Sequence, residues 1–271
     1  MNKVSYTPLM RGKIRTYNFE KIKLHMYENN DFTEKINVIL EKNGEAVIID
    51  TPIFVDNIRE LEKYITSRGL KIIGKILSCH AGASFLPNIP VYTTRKAYNF
   101  SVNGAGRELL DEHDELFGDE VDTSVSENVI FLNEGEEIEI AGIEMCIVKG
   151  NPMFDIEIPE IKAIHTHMLC HNSHSIMFDP KGARTQAKRL KRHLENGYEL
   201  FMSSHHSFEG PERVRESIAY FNSLDEVSRL YKDVASFMRA MRNKFPRYDG
   251  DYYLGITAKM FTSKKHHHHH Y

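Results

Sequence analysis

The sequence predicts a layered α/β fold, and three observations support this prediction. Strand-like segments alternate with helical segments along most of the chain, which is typical of domains that stack sheets and helices in layers. Two strand-rich halves are each followed by helices, which suggests a pseudo-symmetric arrangement. With 271 residues, the chain is long enough to bury a full hydrophobic core in one domain.

Composition excludes several classes of function. Hydrophobic residues make up 41% of the chain and charged residues 27%, as in ordinary soluble globular proteins. A net charge of −3 provides no basic stripe for nucleic acid. No apolar run reaches the length of a membrane span, and the N-terminus lacks the apolar region of a signal peptide. Three cysteines are too few for a disulfide framework, so we expect a reducing, cytoplasmic location.

The first half of the chain is predicted to be rich in strands. Asn43-Gly44 lies between two apolar runs and indicates a hairpin with a type I′ turn. Apolar residues at helical spacing predict one helix over 56–68, and Gly69 provides its C-terminal cap. The β-prone segments of this half are 13–17, 22–26, 35–41, 46–49, 72–77 and 90–93.

The middle of the chain begins with a polar segment. Residues 99–127 are acidic and contain glycine, so they are predicted to form a short helix and an excursion loop. Strands are then predicted at 129–132, 136–140, 144–148, 155–158 and 160–165.

The last third is predicted to be mainly helical. A basic amphipathic helix over 184–196 is followed by a strand over 199–202. In residues 210–244 the apolar positions repeat with a period near that of a helix, which predicts one or two long extended C-terminal helices. This stripe is longer than one sheet face needs, so we expect a homodimer. Residues 264–271 contain His266–His270 and are interpreted as a purification tag or disordered tail, which leaves 1–263 as a single domain.

Histidines gather on three loops that follow predicted strands. Loops at strand ends carry the chemistry of many layered α/β folds, and neutral imidazole is the commonest ligand of transition metals. The loops contain His80, then His165, His167, His171 and His174, and then His205 and His206. Their arrangement suits zinc or iron if the imidazoles converge.

The strand that ends at Asp50, the helix after it and the strand that leads to Ser78-Cys79-His80 resemble the metallo-β-lactamase fold over roughly residues 30–225. The second half is similar to the alkylsulfatase branch, which has a His-Thr-Leu-His segment, an Arg-Gly-Ala turn and a Ser-His-His-Trp-Pro loop. The matching segments are 159–163, 171–174, 181–184 and 203–206. The resemblance implies an αββα sandwich, hydrolytic ancestry and a binuclear metal centre that activates water.

The chain departs from that family where the metal should bind. The first ligand motif, His-x-His-x-Asp-His, reads His80, Gly82, Ser84 and Phe85. The glutamates of the alkylsulfatase branch have no counterpart, since only Asp155 and Met168 lie near their positions. The last-loop histidine carries over as His205 or His206. The sequence therefore predicts that the usual binuclear site is lost.

This pattern is compatible with three functions, and it does not decide whether the protein is an enzyme. The lost ligands favour a metal-free protein, a pseudoenzyme that keeps a pocket for a small-molecule ligand. The alternative is a hydrolase with a rebuilt mononuclear site of His80, His167 and His205, which holds one zinc, iron or manganese ion and acts on an ester-like or sulfate-like molecule. The third is a metal-independent enzyme that uses His80, Cys170 or His171 as acid, base or nucleophile. The candidate catalytic or pocket residues are His80, His171, His174, His205 and His206.

Overall fold

The computed structural model describes residues 2–79, 81–170, 172–206 and 208–263, with side chains from residue 4 onward. The chain divides into two compact units, Met1–His167 and Met168–Tyr271. His80 and His171, two of the predicted site residues, lie outside the described residues. The single domain over 1–263 stays a prediction.

The first unit contains a large mixed sheet whose strands follow one another in chain order. Neighbouring strands are antiparallel from the first to the fifth and parallel from the fifth to the eighth. The hairpin predicted around Asn43-Gly44 joins the fourth and fifth strands. The strands are β1 (Asn2–Pro8), β2 (Lys13–Asn18), β3 (Lys23–Glu28), β4 (Ile36–Lys42), β5 (Glu45–Ile49), β6 (Lys71–Ile76), β7 (Val91–Thr94) and β8 (Val129–Leu132).

Three helices accompany this sheet. Helix α1 (Val55–Ser67) buries Ile58, Leu61 and Ile65 against residues of the sheet such as Ile39 and Ile48. Their spacing is the one from which the helix was predicted. The segment predicted as one short helix and a loop instead forms α2 (Arg95–Asn103), α3 (Ala105–Phe117) and a 3₁₀ turn. That part of the prediction was wrong because acidic residues on the exposed side of α3 mask its buried face, which includes Leu110.

A second, antiparallel sheet lies in the first unit with the order β12–β11–β10–β9. The strand predicted over 160–165 begins later, because a 3₁₀ turn occupies 159–161 and Lys162 has a left-handed backbone with φ of 49°. The strands are β9 (Glu137–Ile140), β10 (Ile143–Val148), β11 (Asp155–Ile158) and β12 (Ala163–Thr166).

The second unit is mainly helical. The segment predicted as one or two long helices forms two, and Asp233 caps the second through the backbone N–H of Ser236 at 2.9 Å. The last helix was not predicted. The elements are α4 (Pro180–Glu195), β13 (Leu200–Ser203), α5 (Pro211–Leu230), α6 (Val234–Lys244) and α7 (Asp251–Thr262). None of the described helices combines the length and apolar composition that crossing a bilayer requires. The layered α/β class is confirmed.

Candidate functional site

Asp50 joins the ends of two parallel strands, β5 and β6. It is completely buried, and its φ of 60° turns the chain sharply after β5. Its carboxylate accepts the backbone N–H of Ser78 at 2.9 Å and the Ser78 hydroxyl at 3.2 Å, and its own N–H donates to the Ile76 carbonyl at 2.8 Å. The acid that ends β5 therefore fixes the start of the loop after β6.

The next part of that loop is bound to a segment that follows α3. The Gly82 N–H donates to the Asp122 carbonyl at 3.1 Å. Both the N–H and the hydroxyl of Ser84 donate to the Asp122 carboxylate, at 2.9 and 2.5 Å. Burial acts to raise the pKa of Asp122, but the combined hydrogen bonds from Ser124 and Ser84 lower it overall. Asp122 is thus an ionised anchor for the loop.

Gly82 also approaches the chain closely at another point. Its φ is 68°, and a Cβ atom added to it would lie 2.4 Å from the carbonyl oxygen of Pro52. A residue with a side chain, histidine included, cannot take this backbone conformation without movement of the Pro52 segment. The second ligand position of the family motif is therefore closed by backbone contact.

The end of the loop belongs to the hydrophobic core. Phe85 is completely buried in the cluster beneath α1. Buried Lys75 donates from its ammonium to the carbonyls of Phe85 and Leu86, both at 2.8 Å, and Glu62 accepts the Leu86 N–H at 3.1 Å. Burial lowers the pKa of Lys75 to about 8, against an opposing effect of Glu62. The last ligand position of the motif is therefore a packed core position.

Two buried histidines of the first unit have ring nitrogens without partners among the described residues. His165 on β12 is 0% exposed and His113 on α3 is 6% exposed. Burial lowers the pKa of both imidazoles. Asp50 and Asp155 oppose this for His165, and Asp114 opposes it for His113. Both side chains are therefore neutral at pH 7, and each offers one N–H donor and one acceptor nitrogen.

Lys35 lies near both histidines. The residue is only 4% exposed, and its backbone N–H donates to the Asp31 carboxylate at 2.9 Å. Its charge acts on His113, His165 and Cys79. Burial raises the pKa of the Cys79 thiol, which Lys35 and Arg107 partly oppose. The charge of Lys35 therefore acts on neutral histidines and also on the carboxylate of Asp31, whose pKa it works to lower.

Sequence reasoning missed Lys35 and His113 as site residues. Lys35 precedes the apolar β4, where a lysine normally indicates an exposed strand end, and His113 stands in an acidic run. The sequence identified His165 as a strand-end histidine, but it did not indicate that its ring nitrogens would be buried without hydrogen-bond partners among the described residues. One signal could have indicated Lys35: a lysine stands directly before the apolar run of β4.

His167 follows β12 and is partly exposed. It is the one member of the predicted mononuclear site in the first unit that the structure describes, since His80 lies outside the described residues. The site of His80, His167 and His205 stays a prediction.

In the second unit, His174 lies in an aromatic cluster. It is completely buried, its Nδ1 lies 3.0 Å from the Tyr220 hydroxyl, and its ring centroid lies 5.7 Å from those of Tyr220 and Tyr248. Its backbone N–H donates to the Asp249 carbonyl at 2.8 Å. Burial lowers the pKa of His174 to about 4. These surroundings are those of a neutral packing group, and a pocket role for His174 stays a prediction.

The structure brings two predicted histidines together after β13. The ring centroids of His205 and His206 lie 6.4 Å apart, and Tyr253 of α7 lies 6.0 and 5.8 Å from them. The Tyr253 hydroxyl is 3.4 Å from Nδ1 of His205. Tyr253 thus contacts both imidazoles.

Cys170 does not suit the role of a nucleophile. Its thiol lies 3.3 Å from the Ser217 hydroxyl, which donates to the Glu209 carboxylate at 3.2 Å. Burial raises the pKa of the Cys170 thiol far above its ordinary value. Because the thiolate is the reactive form, this buried chain of hydrogen bonds is structural.

The described residues do not fit the binuclear metal centre that the resemblance implies. Among them, no three His, Cys, Asp or Glu side chains are placed to hold a metal ion. Gly82 and Phe85 have no donor atom in their side chains, and the hydroxyl of Ser84 is engaged by Asp122. A metal centre of this kind needs several converging N or O ligands, and this loop does not supply them.

Comparison with known proteins shows the fold. No protein-family model and no curated protein sequence matches the chain. A β-lactamase domain protein from Burkholderia ambifaria is 17% identical, with 96% of this chain and 90% of that protein covered and a TM-score of 0.64. A metallo-β-lactamase family protein from Thermus thermophilus is 14% identical, with 95% and 90% covered and a TM-score of 0.62.

The stereoselective inverting sec-alkylsulfatase Pisa1 from Pseudomonas sp. is also similar in structure. It is 14% identical, with 91% of this chain and 49% of the sulfatase covered and a TM-score of 0.64. This chain therefore spans about half the length of that enzyme. At this level of identity the likeness concerns the fold alone, and it confirms the fold that the strand-end pattern indicated. The chain has the metallo-β-lactamase fold.

Proposed function

We propose that this protein is a divergent metallo-β-lactamase-fold protein of hydrolase ancestry that works without the binuclear metal centre and binds a small molecule. The observation that carries the proposal is the loop over 81–86. Its former ligand positions serve other purposes: a close backbone approach at Gly82, an anchor to Asp122 at Ser84, and core packing at Phe85.

The contacts of this loop reinforce one another. Lys75 and Glu62 hold the backbone at Phe85 and Leu86, while Asp122 holds Ser84. A histidine at position 85 would have to leave the core beneath α1 to reach a metal ion, which would open a cavity. These contacts support a loop adapted to a fixed, metal-free conformation.

A retained pocket is supported by the polar groups at the strand ends. Buried polar groups in folded proteins nearly always have hydrogen-bond partners. The ring nitrogens of His113 and His165 lack them among the described residues. Such groups suit recognition of a ligand.

The test is the metal content of a full-length chain in which His266–His270 are replaced by serine, because that run binds metal by itself. We expect elemental mass spectrometry to detect far less than one zinc, iron or manganese ion per chain. The variants His80→Ala and His205→Ala should leave that content unchanged.

The same measurement separates the proposal from a rebuilt hydrolase. One metal ion per chain that disappears in both variants would contradict the metal-free proposal. It would favour the mononuclear site of His80, His167 and His205, which would activate water for attack on an ester-like or sulfate-like molecule.

A further inference from the structure

A cavity of about 470 Å³ lies in the first unit, beside the loop after β3, the first turn of α1 and the chain that leaves α3. Its lining residues come from the ranges 29–32, 54–59 and 117–120, and Arg11 from the turn between β1 and β2 completes the wall. All of them belong to one compact unit. The volume is in the range of cavities that bind small molecules.

Three phenylalanine rings form the aromatic part of the wall. The ring centroid of Phe117 lies 5.2 Å from that of Phe32 and 5.1 Å from that of Phe54, and all three residues line the cavity. Phe32 is 49% exposed, so its ring remains accessible. Such rings can pack on an apolar group, and their faces also attract a cation.

The two arginines of the wall are engaged by an acid. The Arg11 guanidinium donates to the Asp56 carboxylate at 2.5 Å, and the Arg59 guanidinium lies 4.0 Å from the same carboxylate. Asp56 belongs to the first turn of α1, where the helix dipole also favours a negative charge. This part of the wall therefore already contains the anion that its positive groups favour.

The remaining charges of the wall are negative, and they belong to Asp31, Asp119 and Glu120. Asp31 is held from within the protein, because its carboxylate accepts the backbone N–H groups of Thr33 and Lys35 and the charge of Lys35 acts on it. Asp119 and Glu120 are exposed residues of the 3₁₀ turn after α3. The potential at this end of the cavity therefore favours a positively charged ligand.

A buried acceptor in the wall lacks a donor. Asn29 lines the cavity and is 0% exposed. Its amide nitrogen donates to the carbonyls of Lys35 and Tyr27, at 2.9 and 3.3 Å, and to Oδ1 of Asn37 at 2.8 Å. Its own Oδ1 has no hydrogen-bond partner among the described residues. Because buried acceptors are nearly always paired, this oxygen indicates a ligand that brings an N–H group.

We propose that this cavity binds an organic amine that carries an aromatic or other apolar group. The inference rests on the proposed function, since it gives the chemical class of the small molecule. The ammonium group donates to Oδ1 of Asn29 and faces the carboxylates of Asp119 and Glu120. The apolar part packs on the rings of Phe32 and Phe117. An ammonium group offers three N–H donors, and its charge is further stabilised by the nearby rings.

The test uses tryptamine and the full-length chain with His266–His270 replaced by serine. The chain contains no tryptophan, so the indole of the probe can be excited separately from tyrosine and its fluorescence anisotropy measures binding. We expect saturable binding at constant ionic strength. Tryptophol has a hydroxyl in place of the amine, and it should bind about tenfold more weakly because it lacks the charge.

Two variants test the location of the site. Asp119→Asn with Glu120→Gln removes two exposed carboxylates of the wall, so we expect it to fold and to bind tryptamine about tenfold more weakly. Phe32→Leu keeps an apolar side chain but removes the ring, and binding should weaken about threefold. The matched control is Glu112→Gln with Glu115→Gln, at two exposed acids of α3 outside the lining residues, and it should bind as the parent does.

Circular dichroism establishes that each variant is folded, and if one of the two does not fold, the other decides. Three outcomes would overturn the proposal. These are an absence of saturable tryptamine binding, equal binding of tryptophol and tryptamine, and folded variants of the wall that bind as tightly as the parent.

The metal content of the same sample separates this inference from the proposed function. A metal-free chain that does not bind tryptamine overturns the amine site and leaves the loss of the metal centre standing. One metal ion per chain overturns the metal-free proposal, and tryptamine binding that weakens in the variants of the wall would still support the amine site.

Discussion

At the scale of single residues, burial decides the charge of the histidines more than neighbouring acids do. His174 has the Tyr220 hydroxyl at Nδ1 and aromatic rings around it, and burial lowers its pKa to about 4. His113 and His165 are shifted in the same direction for the same reason. These histidines are therefore protonated at a lower pH in the folded protein than in the unfolded chain.

This shift predicts a loss of stability in mild acid. Between about pH 6.5 and pH 4, the unfolded chain protonates His174 while the folded protein does not, so the free energy of unfolding falls as the pH falls. For this group the loss is about 3 kcal/mol, from about 1.4 kcal/mol per pKa unit. Urea unfolding of the parent and of His174→Gln, at several pH values, measures it.

The glutamine variant is the matched control, because its amide can accept the Tyr220 hydroxyl but does not titrate. Its stability should depend less on pH than that of the parent in this window. Equal pH dependence in the two proteins would show that His174 is not the titrating group.

The sequence predicted some of these residues and could not predict others. Histidines at strand ends can be found by inspection, as His165 and His205 were. The proximity of Lys35 to His113 and His165 could not be predicted, because β4, α3 and β12 are far apart in the chain and only the tertiary fold brings them together.

At the scale of elements, the loop after β6 is the main difference from the family pattern. Its sequence showed that ligands were missing, and the structure shows what replaced them. Gly82 turns against Pro52, Ser84 binds Asp122, and Phe85 fills the core beneath α1. The loop has therefore become a packed element of the first unit.

A pair of glycine substitutions tests how tightly the loop is packed. Gly82 and Gly44 both have positive φ, but a Cβ atom would meet the Pro52 carbonyl only at Gly82, and nothing lies within 4 Å at Gly44. Gly44→Ala should cost about 1 kcal/mol, the strain of a left-handed alanine. Gly82→Ala should cost at least about 2 kcal/mol more in urea unfolding, because the Pro52 segment must also move, and equal losses would contradict the close packing.

Elements with a clear local pattern were predictable. The turn at Asn43-Gly44 and the apolar spacing of α1 identified β4, β5 and the helix. Helices α2, α3 and α7 were missed or only partly predicted, because charged residues and tyrosines interrupt their apolar faces. Their positions depend on contacts with distant segments, such as that of Leu110 with Ile53 and Val121.

At the scale of the whole molecule, the fold was predictable even though the identity to known structures is only 14–17%. The order of strands, one buried acid and one strand-end histidine were enough to indicate it. Function did not follow in the same way, because side chains at the strand ends determine it.

We propose that the chain forms a homodimer through its C-terminal helices. Leu230 at the end of α5 is 75% exposed, and Tyr231 follows it. Adjacent exposed apolar residues, rather than single ones, mark interfaces between subunits, and this pair is the basis of the proposal. Leu230→Ser should therefore lower the molar mass measured by light scattering towards that of the monomer. Leu116 is an exposed leucine of α3, and Leu116→Ser should leave the molar mass unchanged. A monomeric parent would contradict the proposal.

The segment around Asp122 has a consequence for motion. Its backbone N–H donates to the Ile53 carbonyl, its carbonyl accepts from Gly82, and the Ser124 carbonyl accepts from Ala83. Two loops at the strand ends are thereby joined to the chain that leaves α3. Opening any one of them breaks hydrogen bonds of the others, so their amide hydrogens should exchange with solvent as one cooperative unit. The segment that contains α3 is thus held by hydrogen bonds just after the helix ends, so we expect it not to move independently of the two loops.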